Sequence, residues 1–211
     1  MVGFKNPPGN LLKKRGENNL KNKKLAVAIS LVIFIIVFVF LISFRNNLLK
    51  IIYPKKYEEV ISAYAQKYSV EENIIFAVIK AESNFDSNAL SNKNAIGLMQ
   101  LMEQTAREIA RKNDIELNYN NVKEDLCNID KNIDIGTKYL SILLEKYKNK
   151  EVALAAYNAG IGTVDNWIDK GIIKEDGSNI ENIPYKETNN YVRKILRDYK
   201  IYQELYKELD K

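Results

Sequence analysis

An uninterrupted apolar run near the N-terminus limits what this chain of 211 residues can fold into. Residues 25–44 read LAVAISLVIFIIVFVFLISF and contain no charged side chain. A helix of this length spans about 30 Å, the thickness of the hydrocarbon core of a bilayer. We therefore predict a transmembrane helix over 25–44. A cleaved signal peptide is the competing interpretation, but the run is long for a signal core, and residues 43–46 do not resemble a cleavage site.

The charges on either side of this run predict its orientation. Lys and Arg occupy seven positions before it (5, 13, 14, 15, 21, 23 and 24) and four after it (45, 50, 55 and 56). Because the more basic flank stays on the cytoplasmic side, residues 1–24 are predicted to be a cytoplasmic basic arm, and their composition predicts disorder. Residues 45–56 are predicted to be a linker. Residues 57–211 would then form a domain outside the cell membrane.

The net charge of +5 arises from the N-terminal part of the chain. Residues 1–56 carry 11 of the 32 Lys and Arg residues and one of the 27 acids, which leaves 21 bases and 26 acids for residues 57–211. A domain with more acids than bases has no overall attraction for a phosphate backbone. We therefore do not expect nucleic acid as a partner.

The lack of histidine narrows the possible chemistry. The sequence has no His and a single Cys, Cys127. This excludes Ser-His-Asp and Cys-His mechanisms and zinc sites with His ligands. Cys127 has no neighbouring base to activate it, and the simplest interpretation is a buried or half-buried structural residue. Since a glycine-rich phosphate loop is also lacking, we expect no metal and no cofactor, and any catalysis would use carboxylates, hydroxyls, lysines or backbone dipoles.

The pattern of apolar residues after position 56 predicts an all-α domain. Short apolar periods close to 3.6 residues recur, with hardly any alternation. Candidate helices cover about 57–68, 70–83, 103–113, 130–148, 150–158 and 188–207. Ser69 and Glu72 have the spacing of a capping box at the start of the second helix.

Glu82 continues the apolar stripe of that second helix, four residues after Val78. Burial of an unpaired charge is costly, so a carboxylate in this position is a candidate functional acid. The other interpretation is that the helix ends at Ala81 and Glu82 turns to solvent. The helical pattern alone leaves both interpretations open.

Four sequence blocks decide between them. Residues 81–106 read AESNFDSNALSNKNAIGLMQLMEQTA, and NIDIGTKYL (132–140), ALAAYNAGIG (153–162) and PYKETNNYV (184–192) follow in order. Together they resemble the soluble-lytic-transglycosylase family, whose lysozyme-like domain cleaves the glycan of the bacterial cell wall. Four blocks in the family's order are a specific signal. Ser87 and Glu103 depart from the pattern, since the family often has Pro there, and these changes affect the expected shape of the groove.

The resemblance implies a lysozyme-like fold and a lytic transglycosylase activity on peptidoglycan strands. Glu82 would be the single catalytic acid and base. It would protonate the oxygen between MurNAc and GlcNAc and then take a proton from the MurNAc 6-hydroxyl, which closes a 1,6-anhydro ring without consuming water. Hydrolytic lysozymes instead generally pair two carboxylates across the bond.

The resemblance also implies a set of substrate-binding residues. Ser91 would bond the N-acetyl group, Gln100 would fix a sugar hydroxyl, and Met102 would form an apolar wall. Tyr157 resembles the family tyrosine whose phenol points at the glutamate, and Glu187 resembles an acid that contacts sugar or orders the site. For Ser91 the simpler role is a turn residue, and for Glu187 an acid in the first turn of a helix.

Four residues are expected to shape the site without contacting substrate, and Met99 is expected in the core. The shaping residues are Ser83, Gly97, Asn158 and Gly160.

Two other functions remain compatible with the sequence. One is a hydrolytic muramidase of the same fold, for which Glu187 or Asp86 would be the second acid. The other is a non-catalytic glycan-binding or scaffolding subunit of an envelope machine. The sequence identifies no protein partner.

Overall fold

A computed structural model describes residues 9–207 of the chain, with side chains from residue 23 on. It contains two units, Met1–Ile52 and Tyr53–Lys211. The first unit contains a single described helix, α1 (Gly9–Ile52). Residues Lys23–Ile52 of α1 are a candidate membrane span by length and composition, and its apolar 18-residue window has a mean hydropathy of 3.4 with no residue buried.

Helix α1 is longer at both ends than the predicted span. The arm 1–24 was expected to be disordered and 45–56 to be a linker, but the helix begins at Gly9 and ends at Ile52; residues 1–8 lie outside the described residues. Once a helix is nucleated, extension costs little, and the Asn, Lys and Leu residues of the flanks are compatible with it. The helix ends before Pro54, because proline disfavours helical backbone at the preceding residue.

The described part of the second unit is all-α, as predicted. Within residues 53–207 the structure has two strands, each of two residues. They pair antiparallel, with Ala95 opposite Met102. The elements in chain order are α2 (Glu58–Tyr68), α3 (Glu72–Glu82), β1 (Ala95–Ile96), β2 (Leu101–Met102), α4 (Glu103–Lys112), α5 (Val122–Cys127), α6 (Ile129–Tyr147), α7 (Lys150–Ala159), α8 (Ile161–Asp169), a 3-10 turn (Ile180–Asn182) and α9 (Lys186–Leu205).

Helix α3 forms the centre of this domain. Its residues 74–79 are all fully buried, on every side of the helix, and it packs most extensively against α9. A helix that is apolar all round is stable only when other elements surround it. The core therefore fixes the direction of α3, and with it the position of Glu82 at its C-terminus.

The predicted capping box at the start of α3 is wrong. Ser69 instead ends α2 in a left-handed conformation with φ 55°, and its N–H donates to the carbonyls of Ala65 and Gln66. Helix α3 begins after Glu71, whose side chain makes no capping bond, and the carboxylate of Glu72 accepts a hydrogen bond from Ser62. Because Ser69 satisfies the end of the preceding helix, it is not available to cap the next one.

The domain starts at Tyr53, four residues earlier than expected. The buried Tyr53 phenol donates to Asp198 Oδ1 at 3.1 Å. Two tyrosines near the end of α9 hold the adjacent backbone: Tyr202 Oη donates to the Pro54 carbonyl at 3.1 Å and Tyr206 Oη to the Tyr53 carbonyl at 2.7 Å. Residues 53–54 are thus bonded to α9.

We therefore predict that a fragment of residues 53–211 is more stable than one of residues 57–211. Removal of a buried aromatic ring and its hydrogen bonds lowers the free energy of unfolding by about 3 kcal/mol. Urea denaturation followed by circular dichroism measures the difference. As a control, Tyr53→Phe in the longer fragment keeps the ring and loses only the phenol, so a loss of about 1 kcal/mol is expected. Equal midpoints for the two fragments would contradict the assignment of Tyr53 to the domain.

Candidate active site

Glu82 is the last residue of α3 and lies half-buried at the wall of a cavity of about 380 Å³. The alternative in which α3 ends at Ala81 and Glu82 turns to solvent is therefore wrong. The residues that line the cavity come from α3, the 83–102 segment, α7 and the start of α9, and they are Glu82, Ser91, Asn92, Lys93, Ala95, Gln100, Met102, Tyr157, Asn158 and Glu187.

The surroundings of Glu82 favour its protonated form near neutral pH. Burial raises the pKa of Glu82 to about 7, and the negative charge of Glu187 adds to this effect. Two groups on α9 lower the pKa of Glu82 and so oppose the effect of burial. Tyr191 Oη donates to Glu82 Oε1 at 2.6 Å. The cation of Lys194, whose Nζ donates to the Ala81 carbonyl at 3.0 Å, also favours the carboxylate. Glu82 can thus hold or release a proton at neutral pH.

The tyrosine that bonds Glu82 is Tyr191 and not Tyr157. The Tyr157 phenol donates to the Met99 carbonyl at 2.9 Å, although Tyr157 also lines the cavity. The sequence does contain a signal for Tyr191. Tyr191 follows Glu187 by four residues, so both side chains lie on the same face of α9. That face is turned toward the cavity.

The phenols around Glu82 remain neutral hydrogen-bond donors. Burial, followed by the charge of Glu82, raises the pKa values of Tyr157 and Tyr191 well above the usual value. The ring of Tyr139 lies 5.1 Å from that of Tyr157, and burial raises the pKa of Tyr139 to about 12. The carboxyl of Glu82 is therefore bordered by aromatic groups that carry no charge of their own.

The 83–102 segment is tied to the end of α3 and to α6. Ser83 Oγ donates to the Leu98 carbonyl at 2.8 Å. Gly97 has φ +78°, and a Cβ at this position would lie 2.1 Å from the Leu126 carbonyl oxygen. Only glycine fits there. Met99 is fully buried, as expected.

A buried amide on α6 completes this attachment. Asn132 is 1% exposed. Its Oδ1 accepts from the Met99 N–H at 2.8 Å, and its Nδ2 donates to the carbonyls of Ile96 at 3.1 Å and Leu126 at 2.8 Å. Asn132 begins the NIDIGTKYL block, but its spacing gave no indication of this contact.

Ser91 and Gln100 both have structural hydrogen bonds within the cavity wall. Ser91 Oγ accepts from the backbone N–H groups of Lys93 and Ala95, at 3.2 and 3.0 Å, which is the turn role of the simpler interpretation. Gln100 Nε2 donates to the carbonyls of Ala89 and Gly97 at 3.1 and 2.9 Å. The Ser91 hydroxyl hydrogen and the Gln100 Oε1 are the atoms left for a ligand.

The remaining predicted residues also lie at the cavity or next to it. Met102 is 44% exposed and lines the cavity. Glu187, in the first turn of α9, pairs with Lys93 across 3.3 Å. Asn158 Oδ1 accepts from Thr188 Oγ1 at 2.7 Å. Gly160, with φ +87°, forms the junction between α7 and α8.

Asp86, the other candidate second acid, is not among the cavity-lining residues. It is exposed, and its Oδ1 accepts from the Asn88 N–H at 2.9 Å. Within the described residues, no cluster of three or more His, Cys, Asp or Glu side chains could hold a metal ion.

An all-α domain with a protonatable glutamate at the end of a buried helix is the arrangement that the resemblance to a lysozyme-like fold leads us to expect. The family described as Transglycosylase SLT domain matches residues 59–179. The match covers more than half of the chain, which therefore belongs to this family.

Related proteins and structures support this assignment. A putative soluble lytic murein transglycosylase of Haemophilus influenzae is 34% identical over 146 residues, which are 68% of this chain and 24% of the relative. Membrane-bound lytic murein transglycosylase C of Histophilus somni is 36% identical over 119 residues, 52% of this chain and 32% of the relative. The chain thus covers about a quarter to a third of these relatives.

The fold is shared with a solved enzyme structure. An inactive mutant of the lytic transglycosylase Slt from Pseudomonas aeruginosa has a TM-score of 0.69 and 35% sequence identity, over 75% of this chain and 26% of that chain. The predicted lysozyme-like, all-α fold is confirmed.

Replacement of Tyr191 tests the environment of Glu82. The Tyr191 hydrogen bond stabilises the carboxylate, so Tyr191→Phe is expected to raise the pKa of Glu82 above its value of about 7. A ¹³C-NMR titration of Glu-labelled protein measures this pKa directly. Tyr157→Phe is the matched control, because its phenol bonds the Met99 carbonyl. A larger shift in the Tyr157 variant than in the Tyr191 variant would contradict the assignment.

Proposed function

We propose that this protein is a membrane-anchored peptidoglycan lytic transglycosylase in which Glu82 is the single catalytic acid and base. The observation that carries the proposal is the position of Glu82 in the cavity, with burial raising its pKa to about 7. An acid with this pKa is a proton donor at neutral pH, whereas an exposed glutamate is ionised there. The names of the relatives and the family membership support the substrate class.

In the first step, protonated Glu82 donates to the glycosidic oxygen between MurNAc and GlcNAc as the bond to MurNAc C1 breaks. Glu82 is then a carboxylate in a half-buried site. The Tyr191 phenol and the Lys194 cation favour this charged form, so both lower the cost of proton donation. We assign them as positioning groups, since they act through Glu82.

In the second step, the Glu82 carboxylate takes the proton of the MurNAc 6-hydroxyl, whose oxygen attacks C1. The product is a 1,6-anhydro ring, and Glu82 is returned to its protonated form. No water is consumed. One carboxyl group performs both proton transfers, so the cycle needs no second acid, metal or cofactor.

The residues around Glu82 supply the substrate contacts in this proposal. Ser91 offers its hydroxyl hydrogen to the N-acetyl group, and Gln100 its Oε1 to a sugar hydroxyl. Met102 is the exposed apolar wall. Tyr157 contributes its ring to the wall of the cavity, and Glu187 carries a charge at its mouth.

The candidate membrane helix supports an activity at the cell surface. We propose that the span orients the N-terminus toward the cytoplasm and the domain from residue 53 on outward, because basic residues are denser before the span than after it. The relative from Histophilus somni is named membrane-bound. The accessible substrate would be glycan close to the membrane, to which tethering gives a high local concentration.

A hydrolytic muramidase is the second candidate, because Glu187 lines the same cavity as Glu82. In that mechanism Glu187 would activate a water molecule. The two candidates give different products: anhydro ends from the lyase and reducing ends from the hydrolase.

Replacement of Glu82 by Gln tests the proposal. The amide cannot donate a proton, so turnover of purified sacculi should fall by about 10²–10⁴-fold, while binding to the glycan is retained. Mass spectrometry of wild-type digests should show 1,6-anhydroMurNAc ends. Glu187→Gln is the comparison variant for the muramidase. Reducing ends, or an unchanged rate in the Glu82 variant, would contradict the proposed mechanism.

The orientation is tested by protease treatment of intact protoplasts. Protease added outside should digest the domain after residue 53, while an epitope tag at the N-terminus stays protected. Permeabilised protoplasts serve as the control, in which the tag is also lost. Protection of the domain in intact protoplasts would place it in the cytoplasm and contradict the proposed localisation.

A further inference from the structure

Lys93 carries the one positive charge among the described residues that line the cavity. Its side chain is 77% exposed, and its ammonium group pairs with Glu187 Oε2 at 3.3 Å. Glu187 is itself 72% exposed. Exposed ion pairs of this kind contribute little net free energy, since water solvates both partners well. The Lys93 ammonium can therefore exchange Glu187 for another anion at small cost.

The backbone that presents Lys93 is held by hydrogen bonds, although its side chain is exposed. Ser91 Oγ accepts from the N–H groups of Lys93 and Ala95, and the Asn94 N–H donates to the Ser91 carbonyl at 2.9 Å. The turn is thus closed by its own hydrogen bonds. It leads directly into β1, which pairs with β2 beside the cavity. This arrangement holds a cation at one rim of the cavity, opposite the N-terminus of α9.

We propose that Lys93 is a specificity-determining residue that binds a carboxylate carried by the lactyl arm of the muramyl sugar. This inference rests on the proposed function, because it assumes that a glycan containing muramic acid enters the cavity. The carboxylate has two possible sources. It is the lactyl carboxylate itself in strands without peptides, and a carboxylate of the attached peptide where the lactyl group is amide-linked.

Glu187 is the competing anion in this arrangement. Its carboxylate pairs with Lys93, and in this proposal the substrate carboxylate replaces it. Once Lys93 has moved to the substrate, the charge of Glu187 is no longer offset. Glu187 raises the pKa of Glu82 by electrostatic repulsion, so the exchange favours the protonated acid when substrate is bound.

The test measures binding, which does not depend on turnover. Full-length protein carrying Glu82→Gln is reconstituted in nanodiscs of neutral lipid, with and without Lys93→Gln. The probes are a GlcNAc–MurNAc tetrasaccharide with free lactyl carboxylates, the same tetrasaccharide with amide-linked peptides, and chitotetraose, which has no carboxylate. Lys123→Gln on α5 is the matched control, because it removes an exposed charge outside the cavity.

Lys93→Gln is expected to weaken binding of a carboxylate-bearing probe by about five-fold at low salt, which is the upper range for an exposed ion pair. The effect should disappear at high salt, and Lys93→Arg should restore the affinity. Binding of chitotetraose and the affinity of the Lys123 variant should not change. If Lys93→Gln weakens binding of the peptide-free tetrasaccharide alone, Lys93 binds the lactyl carboxylate. If it weakens binding of the peptide-bearing tetrasaccharide alone, Lys93 binds a carboxylate of the peptide.

Two results would overturn the inference. One is an equal loss for all three probes, which indicates a structural role of Lys93. The other is no loss for any of them. Neither result affects the proposed function, which is judged separately by the anhydro ends that the wild-type protein produces from sacculi; their absence would overturn both.

Discussion

The position of the cavity wall depends on one buried side-chain amide. Asn132 bonds three backbone groups, the N–H of Met99 and the carbonyls of Ile96 and Leu126. Each buried group left unpaired would cost about 1–3 kcal/mol, so the amide determines the path of the 83–102 segment against α6. Gly97 permits the close approach that these bonds require. Ser91, Gln100 and Met102 are arranged as they are because this segment is held there.

The second constraint is electrostatic, and it acts on Glu82 from two directions. Burial at the end of α3 favours the neutral acid, while Tyr191 and Lys194 favour the carboxylate. A catalytic group that is first an acid and then a base needs both forms within reach at one pH. The packing of α3 against α9 supplies this balance, because α3 carries the acid and α9 carries both opposing groups.

The sequence predicted the parts of the structure that depend on strong local patterns. Helix α3 and the placement of Glu82 followed from apolar periodicity and from the motif. The sequence did not predict that Tyr191, and not Tyr157, bonds Glu82, because this depends on how α7 and α9 pack against α3. The capping box failed because Ser69 is used by the helix before it. Helices α5 and α8 are too short, at six and nine residues, to show a clear period.

The order of these helices along the chain has a consequence for how the site is formed during synthesis. Glu82 and Tyr191 are separated by 109 positions, and α9 follows all the other helices that the structure describes. A nascent chain that has emerged only through α8 contains the acid but lacks Tyr191, Lys194 and the helix that packs against α3. The glutamate of such a chain lacks these opposing groups, so the surroundings of Glu82 are completed only after α9 has been synthesised.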